Sequence, residues 1–318
     1  MVSVTGRRPA GAAVGAVLDR LLGEPTGVPH PVAVFGTAMT RVEADIYAPT
    51  FKRGAIYAGI GTGLGLVVGL IGRSTAVATY VAVAGRSLGE TALGVEAALH
   101  DGGLERAREE LPSLVGRDPS GLDEAEIVRA VVESVAENTV DAVIAPLLWA
   151  ALAGAPGVLA YRAVNTMDAM VGHRSERYER FGTASARLDD VANWVPARIT
   201  ALLVVAARPR SAGDVWRAVT LDAPAHPSPN SGVAEAAFAA ALGIRLGGIS
   251  VYGDRVEDRP ILGTGRPAAE GDVAAAVKLS SDVSTVLTAL LLVPAALGAV
   301  RRIVRGSRVS ARAKRATS

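Results

Sequence analysis

The chain of 318 residues has no cysteine, only three lysines (Lys52, Lys278 and Lys314), four histidines and 4% aromatic residues. Each scarcity closes a class of chemistry. Without cysteine there is no disulfide scaffold and no cysteine-ligated zinc or iron–sulfur site. No lysine lies in a Gly-x-x-x-x-Gly-Lys-Ser/Thr loop, which excludes a Walker-type nucleotide site, and none stands in a pyridoxal-type context. The histidines are dispersed at positions 30, 100, 173 and 226, with no His-Glu-x-x-His pair. A Gly-x-Ser-x-Gly nucleophile elbow is also missing. Acidic residues are lacking from 301–318, which carries seven basic ones, so the rest of the chain is net acidic despite an overall charge of +2. The alkaline pI therefore belongs to a tail. A basic body would point to nucleic acid. A basic tail beside an apolar run points to a membrane end.

What is abundant is apolar surface. With glycine counted in place of tyrosine, about 59% of residues are apolar, against roughly 45–50% for an average soluble domain, and charged residues make up 20%. That excludes a disordered chain. Residues 54–72 and 283–300 carry no charge and are bounded by Lys52-Arg53, Arg73 and Arg301-Arg302. Both have the length of a transmembrane helix, and soluble helices rarely run so far without a polar edge. The basic tail then places the C-terminus in the cytoplasm by the positive-inside rule.

Gly61, Gly65 and Gly69 recur every four residues in the first run. Such a stripe lets helices approach closely in lipid, although an Ala/Gly-rich composition produces it as well. A second helix is expected to return over 74–88. The stretches 140–160 and 194–207 are apolar but interrupted by Asp141, Pro146 and Pro156, and by Pro196 and Arg198. Broken helices at membrane depth need protein or a water-filled cavity around their freed backbone, and charges within them are functional candidates. Segments 89–139, 161–193 and 208–282 read as water-facing. Of these, 209–278 is rich in turn formers and is the one irregular segment. The expected architecture is an all-α polytopic integral membrane protein with helical cytoplasmic loops, a single embedded domain over 1–318.

Four clusters carry chemistry. Ser120 or Asp123 can cap a helix on which Glu126, Glu133, Glu137 and Asp141 fall on one face. Like charges four apart destabilise a helix, so this stripe wants a cation: Arg129, or Mg²⁺ with substrate phosphates. A solvated acidic face with one arginine partner is the alternative. In the second cluster, Asn165 and Asp168 share one helix face, and Arg174, Arg177 and Tyr178 share another. Paired arginines grip phosphate or carboxylate, or touch anionic lipid. The third places Arg187, Asp189, Asp190 and Asn193 at the mouth of an apolar span. The fourth, His226-Pro-Ser228-Pro-Asn230-Ser231-Gly232, leads into a helix start, which is either an anion site or an ordinary capped turn.

Taken together these residues resemble the CobD/CbiB family, adenosylcobinamide-phosphate synthase of cobalamin biosynthesis. The resemblance is carried by Val115-Gly-Arg-Asp118, Glu133-Ser-Val-Ala-Glu-Asn-Thr-Val-Asp141, Tyr161-Arg-Ala-Val-Asn-Thr-Met-Asp168, Glu176-Arg-Tyr178, Ala186-Arg-Leu-Asp-Asp190, Asn193-Trp-Val-Pro-Ala-Arg198 and His226-Pro-Ser-Pro-Asn230. Leu21-Leu-Gly-Glu-Pro25 and His30-Pro31 add to it. Against the family pattern, Glu24 replaces Asp, Pro119 replaces Thr and Ala169 replaces Ser, which argues against an essential hydroxyl at 119 or 169.

The resemblance implies a multi-pass enzyme of the cell membrane. It implies ATP-dependent ligation of (R)-1-amino-2-propanol, or its O-phosphate, to the free propionate carboxylate of adenosylcobyric acid. The expected carboxylate chemistry uses Glu133, Glu137, Asp168, Asp189 and Asp190. Glu137, Asn138, Asp141 and Asn165 are expected to hold Mg²⁺. Arg117, Arg174, Arg177, Tyr178, Arg187, His226, Ser228 and Asn230 are expected on substrate and phosphates. The expected partners are the corrinoid, the aminopropanol, the lipid bilayer and a homo-oligomer or pathway complex, with no nucleic acid. Two other classes fit some of the same residues: a polytopic prenyltransferase using Mg-diphosphate, and a non-catalytic corrinoid permease or scaffold.

Overall fold

A computed structural model describes residues 4–24, 27–116, 119–173, 175–252 and 255–293. The chain is built from helices α1 (Val4–Leu22), α2 (Pro31–Ile46), α3 (Phe51–Gly72), α4 (Thr75–Ala82), α5 (Gly85–Glu110), α6 (Glu124–Thr139), α7 (Ala145–Met167), α8 (Thr183–Ala207), α9 (Ala212–Leu221), α10 (Ser231–Leu242) and α11 (Asp272–Val293). Among the described residues, four apolar helical stretches are long enough to cross a membrane: Phe51–Gly72, Glu124–Gly172, Thr183–Ala207 and Asp272–Val293. The all-α, polytopic membrane architecture read from the sequence is the one observed. The tail 301–318 and the end of the expected 283–300 span lie outside the described residues.

Residues 74–88 do not form one returning span. α4 is eight residues long and stops at Val83, and α5 starts at Gly85. Eight residues reach about 12 Å, well short of the roughly 30 Å hydrocarbon core.

The stretch Glu124–Gly172 is not one straight rod either. Gly154 has φ 71° and ψ −155°, outside the helical region, and Pro156 follows it. A straight helix would hold Asp141 and Asn165 about 36 Å apart, yet their side chains hydrogen-bond at 3.2 Å across 24 residues. The chain therefore doubles back at Gly154, and the run 140–160 passes through the tip of a helical hairpin. Only glycine adopts this backbone conformation without strain.

The returning arm of the hairpin packs antiparallel on α3. Gly61, Gly65 and Gly69 are buried. A Cβ at each would collide respectively with Met167, with the Leu159 carbonyl, and with Ala155 and Pro156. The stripe is thus a packing face, and close backbone approach is its purpose. Gly59 and Gly63, on the other side of α3, face open space.

The segment expected to be irregular contains a small three-stranded sheet beside α10. Strands β1 (Ile244–Tyr252) and β2 (Arg255–Leu262) pair antiparallel, and β3 (Arg266–Pro267) pairs parallel with β1. The register shifts between Leu246 and Gly248. This bulge turns the Gly247 N–H out of the ladder, as β-bulges do.

Candidate active site

The acidic helix begins as the sequence suggests. Asp123 caps α6 by accepting from Glu126 N–H, and the Glu126 carboxylate accepts from Asp123 N–H. The rest of the stripe is shared among three neighbours. Glu133, 3% exposed, accepts the Gly247 N–H freed by the bulge at 2.9 Å. Arg129 stands 3.9 Å from Glu133 and donates to the Gly247 and Ile249 carbonyls at 2.7 and 2.6 Å. Glu137 accepts from the Ser231 hydroxyl at 2.7 Å, and Asp141 meets Asn165.

Two π-helical turns, Val140–Ile144 and Asp168–Gly172, place the key carboxylates. A π turn shifts the backbone register and leaves carbonyls for other donors. Here the Asp141 carbonyl faces the Tyr161 hydroxyl at 3.0 Å, and the Ala142 carbonyl accepts from Ala84 N–H at 3.0 Å. Each turn carries one acidic residue, Asp141 in the second position of the first turn and Asp168 in the first position of the other.

Around them runs a polar network. Asn165 Nδ2 lies 3.2 Å from both Asp141 and Asp189. Asn193 donates to Asp189 at 2.9 Å, and its Oδ1 is 2.8 Å from the Tyr161 hydroxyl. Trp149 stacks on Tyr161 with ring centroids 6.4 Å apart. Asp141 lies within electrostatic range of Asp189, Glu137 and Asp168, while Asp168 also senses Asp190. Five carboxylates, Glu137, Asp141, Asp168, Asp189 and Asp190, thus converge from α6, α8 and the two π turns. Like charges so placed call for protons or a cation. Their all-oxygen donor set suits a hard ion such as Mg²⁺. Among the described residues, no three Asp, Glu or His side chains are placed to grip one ion by themselves. The residues fit Mg²⁺ in the manner usual for that ion, through one or two carboxylates completed by water and phosphate oxygens.

The fourth cluster docks onto this group. Asn230 donates to the Asp190 carbonyl at 2.8 Å and accepts from Arg198 at 3.0 Å. Arg198 also lies over the Trp194 ring. Ser228 Oγ accepts from the N–H groups of Asn230 and Ser231, so those two amides at the start of α10 are already capped. His226 accepts from Ser228 N–H through Nδ1 at 3.1 Å, and its Nε2 stands 3.7 Å from Glu235 Oε1. Burial pushes the His226 imidazole below its ordinary value, so the neutral form is favoured.

Other expected residues stand apart. Arg177 pairs with Glu43 at 2.8 Å and lies 4.1 Å from the Tyr47 ring centroid, and the Tyr178 hydroxyl also reaches Glu43, at 3.0 Å. Arg187 is exposed on α8, and Asn138 donates to the Ser134 carbonyl one turn back. Arg117 and Arg174 lie outside the described residues. Sequence reasoning placed Asn193 in the third cluster without a specific task and gave no role to Tyr161, Glu235 or Glu43. Tyr161 and Asn193 stand inside quoted motifs, and that was the available signal. Nothing local marks Glu43 or Glu235.

An acidic polar cluster built into broken helices defines the class as a membrane-embedded multi-pass protein whose grouped polar side chains are carboxylates, amides and arginine. Residues 12–280 match the family model described as CobD/CbiB protein. The chain is 46% identical over 300 residues to the cobalamin biosynthesis protein CobD of Mycobacterium bovis, covering 88% of this chain and 94% of that one. It is 43% identical over 276 residues to CobD of Geobacter metallireducens (80% and 86% covered), and 40% identical over 300 residues to the cobalamin biosynthesis protein CbiB of Salmonella typhimurium (87% and 94%). No solved structure matches the chain. The chain belongs to the CobD/CbiB family and has a role in cobalamin biosynthesis.

Proposed function

We propose that the chain is an ATP-dependent amide ligase joining (R)-1-amino-2-propanol O-phosphate to the free propionate of adenosylcobyric acid. The observation that carries this reading is the convergence of Glu137, Asp141, Asp168, Asp189 and Asp190 around the Asn165–Asn193–Tyr161 network. A carboxylate is a poor acyl donor. In the proposed sequence a propionate oxygen attacks the γ-phosphorus of ATP, ADP leaves, and an acyl phosphate forms. The amine nitrogen then attacks the acyl carbon, phosphate departs, and the nitrogen loses its proton to a base.

Asp141, Asn165 and Glu137, together with phosphate oxygens, would hold Mg²⁺, which would supply charge neutralisation at the phosphates. Asp189 and Asp190 are the candidate bases for the incoming ammonium, which a nearby carboxylate also attracts and orients. Asp168 would add negative charge facing that ion. Asn230 and Arg198 fix the α10 loop beside Asp190. The C-terminus is proposed to be cytoplasmic, since residues 301–318 carry seven basic and no acidic residues, and the membrane the plasma membrane.

The test is reconstitution of the purified full chain in detergent with adenosylcobyric acid, aminopropanol O-phosphate and Mg-ATP. The expected result is one amide and one ADP per turnover by mass spectrometry, with Glu137→Gln and Asp190→Asn at least about 100-fold slower. Corrinoid binding without ATP turnover, or wild-type rates in both variants, would overturn the assignment.

A further inference from the structure

The Asn165 side chain is held from both ends. Its Oδ1 accepts from Arg162 Nη1 at 3.2 Å. Its Nδ2 lies 3.2 Å from Asp141 Oδ2 and 3.2 Å from Asp189 Oδ1, which gives one amide hydrogen to each carboxylate. Three segments meet in this one group: the π turn at Val140–Ile144, the returning arm of α7, and α8.

The partners decide which way the amide faces. A guanidinium offers only N–H donors and stays charged in proteins, whereas an ionised carboxylate only accepts. A half-turn of the amide would set Oδ1 against two carboxylates and Nδ2 against a guanidinium, and all three hydrogen bonds would be lost. Arg162 has nothing else to hold. Among the described residues, the bond to Asn165 is the one hydrogen bond its side chain makes, and Nε is sealed from water without a partner. Unpairing a further donor of a buried guanidinium is costly, so Arg162 resists the half-turn.

This bears on the cation that the acidic group calls for. A divalent ion takes oxygen ligands. In the orientation that Arg162 dictates, Asn165 turns its hydrogens toward Asp141 and Asp189 and its oxygen away from them. For that oxygen to reach an ion beside these carboxylates, the amide must turn and give up Arg162. The guanidinium therefore acts on the acidic group through the amide, without touching either carboxylate.

We infer that Arg162 is a positioning residue that fixes the Asn165 amide in its donating orientation and thereby holds down the divalent-ion affinity of the acidic group. This rests on the proposed function for the identity of the ion, and it is read from binding without turnover.

The probe is Mn²⁺ alone, a paramagnetic substitute for Mg²⁺, titrated into the full chain in neutral detergent without nucleotide or corrinoid. Free ion is followed by its electron paramagnetic resonance signal, and excess Mg²⁺ is expected to displace the bound ion. Arg162→Gln, whose amide can donate or accept and so tolerates either orientation of Asn165, is expected to tighten Mn²⁺ binding about 10-fold, the scale on which groups behind the ligands tune a metal. Arg162→Lys, which again only donates, is expected to restore the wild-type affinity. Loss of a positive charge would also tighten binding, so the comparison is repeated in an Asn165→Ala background. There the Arg162→Gln effect is expected to vanish, because the amide through which it acts is gone. Should Arg162→Gln not fold, Arg162→Met is carried through the same two backgrounds. Absence of saturable binding, weaker or unchanged binding in Arg162→Gln, or an equal gain in both backgrounds would overturn the inference. Amide formation with an ion affinity indifferent to Arg162 would sink the inference and spare the ligase. An Arg162 effect carried by Asn165 in a protein that forms no amide would do the reverse.

Discussion

The Tyr161 hydroxyl stands 2.8 Å from Asn193 Oδ1, and Asn193 Nδ2 stands 2.9 Å from Asp189, so a phenol on one helix sets a carboxylate on another. Removing the hydroxyl leaves the amide oxygen without its donor. Tyr161→Phe is expected to lower stability by about 1–3 kcal/mol, the usual penalty for an unsatisfied buried group. It is also expected to slow amide formation about 10-fold with the fold intact. Thermal unfolding in detergent and steady-state rates measure both; unchanged values would show that the network does not hold Asp189.

Asp189→Asn tests the same carboxylate directly. Asp189 is 8% exposed among four other acids. Taking away one of several crowded charges relieves repulsion while removing a functional group, the usual trade at strained sites. The variant is expected to melt higher than wild type and to form amide at least about 100-fold more slowly. A lower melting temperature would mean that a bound cation already neutralises the group.

The α3 stripe predicts a contrast between neighbouring glycines. Gly65→Ala drives a methyl into the Leu159 carbonyl, whereas Gly63→Ala meets nothing within 4 Å. The first is expected to destabilise by about 1–3 kcal/mol through overpacking. The second is expected to be neutral or to gain up to about 1 kcal/mol from restricting the unfolded chain. Denaturation of the paired variants, read by circular dichroism, checks the ordering.

Two buried groups outside the four apolar spans give opposite pH signatures. Burial pushes Asp19 up to about 6 from 3.8, against backbone hydrogen bonds from Arg86 and Gly85 that favour its charge. The folded state therefore binds the extra proton between those values. This contribution to stability is fully present below about 4 and is lost as pH rises through about 6. Asp19→Asn is expected to remove that loss, worth about 2–3 kcal/mol at pH 8. Stability curves from pH 4 to 8 that remain parallel for the two proteins would exclude it.

His226 runs the other way. Its folded value lies below 6.5 because burial disfavours the imidazolium. The unfolded chain takes up the proton first, so stability is fully present above about 6.5 and falls as pH drops toward the folded value. His226→Gln is expected to flatten this limb, and melting temperatures at pH 5.0 and 7.5 compare the two.

Much of the site was legible because its residues travel in short motifs on helices, where spacing alone places them on a face. The cap at Asp123 and the grouping of Glu137 with Asp141 follow from helical periodicity. The doubling back at Gly154 did not follow, because the apolar run continues on both sides of it and one glycine in a glycine-rich chain carries little signal. Nor did the π turns at Val140–Ile144 and Asp168–Gly172, which depend on tertiary donors rather than composition. Glu133 shows the limit most clearly. Its partner is a backbone N–H 114 residues away, exposed by a register shift that no side-chain pattern announces.

The hairpin turning at Gly154 also bears on how the protein enters a bilayer. Asp141 on the outgoing arm meets its partner, Asn165, only when the returning arm is present. An isolated outgoing helix would expose a carboxylate to lipid, and an isolated returning one would expose an amide and the Arg162 guanidinium. The two arms therefore partition most favourably as a unit, with their polar atoms already facing each other, and α3 completes the bundle by laying its glycine face along the returning arm.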